Sequence, residues 1–274
     1  MDSAKKGFVY LLLAVLVVTQ VYPLLWLVLY SFKTNEEILG GSFFALPQTP
    51  RLANYTEAYE AGNYLQYLFN SVFVTVITMI VVIVLASMVA YAISRFRWKL
   101  APVALLVFML GLMIPMQATL LPLMVMFKEM GILNTRWSLI LPYIAFQTPV
   151  AVFILSGFMR GIPHEIEESA FIDGASVYRI FRSIIMPISV PPIMTVCILT
   201  FINIWNEYIM AATFISDEDL KTLPFGVNSF VSQYAVNYGN IGAFLVMGAI
   251  PVILIYFVLS ERITKGMVAG AVKG

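Results

Sequence analysis

Gly161-Ile-Pro-His-Glu-Ile-Glu-Glu-Ser-Ala-Phe-Ile-Asp-Gly174-Ala-Ser-Val-Tyr-Arg-Ile-Phe-Arg-Ser-Ile-Ile-Met-Pro187 reads as a helix, a tight turn and a second helix. Pro163 suits a first helical turn, where the backbone N–H has no helical partner anyway. Glu165, Glu167 and Glu168 follow at the helix end that the backbone dipole makes favourable to anions. Gly174 stands where a left-handed C-terminal cap is expected. Ser176 can cap the second helix, Arg179 and Arg182 share one of its faces, and Pro187 is expected to close it. Ala170, Phe171 and Ile172 are left for something to cover. Two readings fit: a hairpin that docks in a partner's groove, or an amphipathic linker lying on a membrane surface.

Working outward, the hairpin is flanked by two apolar runs, about 138–158 and 191–214. Four more runs of spanning length follow the same pattern, about 8–30, 71–93, 101–127 and 241–260. Of the 274 residues 61% are hydrophobic and only 11% charged, with a mean hydropathy of +0.90. A soluble domain carries about 25% charge and could not hide this much apolar surface, so lipid is the natural solvent. The expected fold class is all-α and polytopic, with six transmembrane helices. Strands cannot satisfy their backbone alone in hydrocarbon, and the runs are continuous rather than alternating. Pro102, Pro115 and Pro122 predict that the third run is kinked or split. The first run is too long for a signal-peptide core of roughly 7–15 residues and reads as an uncleaved span.

Lysine and arginine set the orientation. With the N-terminus inside, 11 of the 16 positive residues fall inside and 5 outside, so both termini are expected in the cytoplasm. Trp98 and Trp137 fall at span ends, where either an interfacial anchor or plain packing accounts for them. A single transmembrane domain is expected over 1–274, with the hairpin at 161–187 and a cytoplasmic tail at 261–274.

The lone Cys197 excludes an intrachain disulfide or a cysteine metal cluster, and the lone His164 excludes a two-histidine site. The chain carries no G-x-x-x-x-G-K-[ST] phosphate loop and no H-E-x-x-H. Any ATP-derived energy would have to come from a partner. Glu207 is the one ionised residue inside the six runs, with Asn203 four residues earlier and Asn206 adjacent. Charge at bilayer depth costs at least about 2.5 kcal/mol, so such a residue faces a partner or a water-filled path. A polar patch lining a translocation path and a helix-packing or gating network both fit. Gln117 and Thr119, between Pro115 and Pro122, either line such a path in a broken helix or bond a neighbouring helix. Asp217, Glu218 and Asp219 read as a solvated outer loop, or as a contact for a partner.

The hairpin resembles the coupling-loop signature of ABC importer permeases, E-A-A-x3-G-x9-I-x-L-P. Here it is Glu168-Ser169-Ala170, three residues, Gly174, nine residues, Ile184, one residue and Met186-Pro187. The spacing agrees throughout, with Ser169 and Met186 as same-size departures. Glu165 to Ala175 and the tail Lys265 to Gly274 are similar to carbohydrate-uptake permeases of the maltose-transport type, in particular the smaller subunit of the pair. Asn54 to Asn70, Pro142 and Trp205-Asn206-Glu207 fit the same group, so the resemblance covers the whole chain.

The resemblance implies a heterodimer of two permeases around a translocation path for a carbohydrate. It implies two cytoplasmic ATPase subunits that use ATP and Mg, and an extracytoplasmic sugar-binding protein that delivers the cargo. This chain itself would bind no cofactor, metal or nucleic acid and would carry no catalytic residue. Glu165, Glu167, Glu168, Ser169, Ala170, Phe171, Asp173, Gly174, Arg179, Arg182 and Pro187 would form the ATPase-docking hairpin, with Glu168 paired to a basic ATPase residue. Lys265, Lys273 and Gly274 would carry the tail toward the ATPase dimer. Three other readings stay open on the residues alone: a different cargo such as an amino acid, polyamine or inorganic anion, a membrane enzyme, or a channel subunit.

Overall fold

The computed structural model describes residues 3–42, 44–232 and 235–271, with side chains described as far as 257. Among the described residues the regular secondary structure is helical, joined by short non-helical links; the one β feature is an isolated bridge between Val231 and Val236. In order, the helices are α1 (Ser3–Tyr30), α2 (Asn35–Gly40), α3 (Ala53–Ala61), α4 (Tyr64–Arg95), α5 (Ala101–Gly111), α6 (Leu120–Glu129) and α7 (Trp137–Arg160). They continue as α8 (Glu165–Ile172), α9 (Val177–Ile180), α10 (Met186–Ile188), α11 (Val190–Trp205), α12 (Ile209–Phe214) and α13 (Tyr238–Ala271).

Helices α1, α4, α7 and α13 are each long and apolar enough to cross a bilayer unbroken. Two further crossings count only as bent pairs. The third run is split as its prolines predict. Pro115 takes an extended backbone (φ −71°, ψ 127°), and the segment beyond it turns by 87° from α5. Gly111, the last residue of α5, lets the bend sit against α7, since a Cβ there would lie 3.2 Å from the ring of Pro149.

The fifth run departs from a continuous span. Helix α11 ends at Trp205, residues 206–208 leave the helix, and α12 resumes at Ile209. Pro187 also does not close the hairpin. A proline clashes with the carbonyl four residues earlier. That carbonyl belongs to Ser183, which lies in a π turn (Phe181–Ile185) wide enough to move it aside. The helix therefore runs on to Ile188 and breaks at Ser189, where the path turns by 73° into α11.

By internal contacts the chain divides into two units, Met1–Leu65 with Gly226–Pro251, and Gln66–Phe225 with Val252–Gly274. In the first unit, Asn54 is fully buried and its Nδ2 donates to the carbonyls of Ser31 (2.8 Å) and Lys33 (2.9 Å), pinning α3 to the end of α1. Thr34 and Glu37 form a capping box on α2. The Glu37 carboxylate also accepts from the amides of Gln48 (3.0 Å) and Thr49 (3.4 Å). Gly62 and Gly226 both pack flat on the buried ring of Phe244. Helix α1 is different: in its most apolar 18-residue window nothing is buried by the rest of the chain.

The second unit holds two apolar cores. One joins Val82, Ala86 and Ala90 of α4 to Val152, Leu155 and Met159 of α7, and to Ile180 and Ile185 of the hairpin. Alanines at the helix crossing let the backbones approach closely. The other joins Val74, Phe127, Leu139, Ile140 and Tyr143 to Met210 and Phe214 of α12.

Candidate functional site

The hairpin is built much as its residues predict. His164 leads into α8, with its carbonyl accepting from the amides of Glu167 and Glu168 (both 3.0 Å). The C-terminus of α8 is a Schellman cap. Gly174 takes φ +78°, its N–H donates to the Phe171 carbonyl (3.0 Å), and that of Ala175 donates to Ala170 (2.9 Å). Ser176 Oγ accepts from the Arg179 amide (3.3 Å) and caps α9. Glu165, Glu168, Ser169, Asp173, Arg179, Arg182 and Pro187 are not buried by the chain. Phe171 and Tyr178 are exposed, and Ile172 is 86% exposed. Ala170 is half-buried against the first core.

Glu167 faces the other way. Its carboxylate accepts from Arg95 Nε at 3.1 Å, with the two side chains 7% and 0% exposed. The same guanidinium donates to the carbonyls of Met159 (3.0 Å), Ile162 (2.6 Å) and Pro163 (3.3 Å). Arg95 ends α4, so one side chain ties α4, the end of α7 and the start of the hairpin together. The three glutamates are therefore unequal: Glu165 and Glu168 are free to meet a partner, whereas Glu167 holds the hairpin in place.

Asn203 of α11 and Glu207, in the break that follows it, meet a cavity of about 290 Å³, lined also by Ile114, Met116, Tyr143, Phe146, Gln147 and Ile204. Tyr143 donates to Glu207 Oε2 at 2.5 Å, and Glu207 Oε1 accepts from the Met210 amide at 2.9 Å. The carboxylate thus caps α12 while facing the cavity. Asn203 Nδ2 donates to Gln147 Oε1 at 3.2 Å. Asn206 turns its amide back to the Ile202 carbonyl (2.8 Å), and neither it nor the exposed Gln117 lines the cavity. Tyr143 and Gln147 belong to no motif and are not among the residues the sequence singles out. Their one signal there is the four-residue spacing that places both on one face of α7.

The acidic loop after α12 is tied down rather than loose. Asn134 Oδ1 accepts from the amides of Ser216 and Asp217, both at 2.9 Å. Tyr67 donates to Glu218 (2.7 Å), and Asn70 donates to the carbonyls of Asp219 (2.7 Å) and Lys221 (2.9 Å) while accepting from Arg136 (2.8 Å). Lys221 Nζ lies 3.3 Å from the centroid of the Phe225 ring. Burial lowers the Lys221 pKa, and Glu218 opposes the shift. Of the tail residues, Lys265 lies on the α13 backbone, and Lys273 and Gly274 lie outside the described residues. The described residues hold no group of three or more potential metal ligands.

A broken-helix membrane fold with an exposed capped hairpin and a polar cavity is an arrangement suited to a transport permease. The chain belongs to the family of binding-protein-dependent transport system inner membrane components, whose model matches residues 83–267. It is 35% identical over 271 residues to the galactooligosaccharides transport system permease protein of Bacillus subtilis, covering 97% of this chain and 95% of that one. It is also 35% identical over 252 residues to the diacetylchitobiose uptake system permease protein of Streptomyces coelicolor (91% and 83% covered). Its fold matches a chain of a bacterial ABC transporter involved in the import of the acidic polysaccharide alginate. The TM-score there is 0.81, at 21% identity over 95% of this chain and 98% of that one. The chain is thus a multi-pass inner-membrane permease of the ATP-binding-cassette importer class, in which ATP hydrolysis belongs to a separate subunit.

Proposed function

We propose that this chain forms half of the translocation path for a carbohydrate, an oligosaccharide, paired with a second permease. The names of the relatives at 35% identity along nearly the whole chain carry the cargo class. The cavity supports it: a phenol, two amides and a carboxylate beside Phe146 offer hydrogen bonds and an apolar face, the two kinds of contact a sugar ring takes. Asn203 and Glu207 are the cargo-facing residues of this chain. Asn206 and Gln117 belong to the path outside the cavity.

All 274 residues work as one transmembrane domain with six crossings and both termini in the cytoplasm, as the excess of lysine and arginine on that side supports. The hairpin 161–187 docks on one of two cytoplasmic ATPase subunits, which bind ATP and Mg. Glu165, Glu168, Ser169, Phe171, Asp173, Arg179, Arg182 and Pro187 face that subunit; Ala170, Gly174 and Glu167 shape and hold the hairpin. Lys265, Lys273 and Gly274 carry the tail toward the ATPase pair. An extracytoplasmic sugar-binding protein delivers the cargo. Closure of the ATPases on ATP moves the hairpin, and the spans convert that movement into alternating access.

Purification of the tagged chain from its native membrane tests this reading. A second permease and an ATPase are expected to co-purify, and the reconstituted complex to hydrolyse ATP faster with a loaded oligosaccharide-binding protein. Glu168→Ala with Gly174→Pro should weaken ATPase retention while leaving membrane insertion intact. A complex that responds to amino acids and to no sugar would overturn the cargo class. A chain that never retains an ATPase would overturn the coupling role.

A further inference from the structure

We propose that Arg95 is a positioning residue that makes the hairpin and the ends of α4 and α7 a single rigid lever, so that it sets how much transport each ATP yields. The inference rests on the proposed docking of hairpin 161–187 on an ATPase.

Three attachments converge on the same place. The Arg95 guanidinium bonds the Glu167 carboxylate and three carbonyls, those of Met159, Ile162 and Pro163, with no side-chain exposure. These carbonyls lie at the C-terminus of α7 and in the link to α8, where the regular helical ladder has ended; that of Met159 also accepts from the Ile162 amide at 3.3 Å. A planar fork of five N–H donors can meet this carboxylate and all three carbonyls at once; an ammonium, with three donors, is one short. On the second arm, Phe181 packs on Tyr91 of α4 with ring centroids 5.1 Å apart. Ile180 and Ile185 are completely buried among residues of α4 and α7. Both arms of the hairpin are therefore fastened to the same two helices, and its exposed tip, Phe171 to Asp173, carries none of the fastening.

A push at the tip has two ways to be lost: the hairpin can tilt on its link, or α8 can slide along α9. Arg95 closes the first, because the link residues Ile162 and Pro163 are held directly to α4. The Schellman turn at Gly174 and the buried second arm close the second. Burial of the ion pair makes the clamp resistant to salt, since screening acts on exposed charges.

The test uses the whole complex with a Cys197→Ser background. Spin labels at Lys99→Cys, beyond α4, and Ile172→Cys, at the hairpin tip, report the lever directly. The expected distance is narrow and changes by less than about 2 Å between nucleotide-free and ATP-bound states. A change of about 5 Å, one helical turn, overturns the proposal with Arg95 intact. In Arg95→Gln and Arg95→Lys the distribution is expected to broaden while the ATPase stays bound. ATP hydrolysed per sugar moved should then rise on the order of tenfold. A ratio within about twofold of the parent in both variants also overturns it. If either variant does not assemble, the distance measurement on the intact clamp decides. Failure of the ATPase to cross-link to Ile172→Cys would instead strike at the docking reading itself, a separate result.

Discussion

Replacing Glu207 by alanine is expected to cost more stability than replacing Tyr143 by phenylalanine, although the two share one hydrogen bond. Glu207→Ala removes the acceptor of the Met210 amide at the start of α12, a loss of about 0.5–2 kcal/mol for such caps. It also strands the Tyr143 hydroxyl, whose residue is only 3% exposed, at about 1–3 kcal/mol. The sum centres on about 3 kcal/mol. Tyr143→Phe removes the same bond but leaves a half-buried carboxylate that keeps its cap and can be hydrated from the cavity, so about 0.5–1.5 kcal/mol is expected. The double variant should be less destabilised than the two single losses added, because the stranded hydroxyl is gone. Unfolding of the purified complex, followed by tryptophan fluorescence against temperature or denaturant, gives all four corners of the cycle. Equal single losses, or strict additivity, would refute the assignment of the carboxylate to both partners.

Gly174→Ala places a side chain at φ +78° and should weaken the hairpin by about 1 kcal/mol, seen as faster amide exchange over 165–180 with the spans unchanged. Gly226→Ala would set a Cβ 2.2 Å from the buried Phe244 ring, so a loss of about 1–3 kcal/mol is expected; Phe244→Leu in the same chain should recover part of it, read as melting temperature. For the segment 31–52, burial alone would raise the Glu37 pKa, but the amides of Thr34, Gln48 and Thr49, with Lys33 nearby, hold it below the ordinary carboxylate value. Its contribution is complete above the unfolded value and is lost as pH falls through the lower folded one. Protease cleavage in 38–50 should therefore rise only on acidification below the usual carboxylate range, and Glu37→Gln should flatten that dependence.

Much of the fold and of the hairpin is legible in the residues themselves. The caps at Gly174 and Ser176 are local chemistry, and a left-handed glycine followed by a serine announces itself. The apolar runs locate the helices because lipid leaves no alternative. What hydropathy cannot show is where an apolar run stops being straight. The break after Trp205 falls inside a largely apolar run, and beyond it a carboxylate accepts from the backbone amide where the helix resumes. Pro187 reads as a stop in sequence because the π turn before it depends on packing, not on any residue type. The three hairpin glutamates look alike in sequence. Only the arrival of Arg95 from 72 residues away separates Glu167 from the other two. Tyr143 and Gln147 are inconspicuous for the same reason: their role exists only once α7 faces α11.

The Tyr143–Glu207 bond also bears on how such a chain is made. A ribosome delivers α7 to the membrane before α11, and the 64 residues between the two partners take roughly 3–13 s to synthesise. The phenol is thus already in place when the acidic segment emerges. The carboxylate need not wait in hydrocarbon for a donor made later. Reversing that order, by a circular permutation that delivers 190–214 before 137–160, would ask the insertion machinery to accept the charge bare, and defective insertion rather than defective transport is the failure to look for.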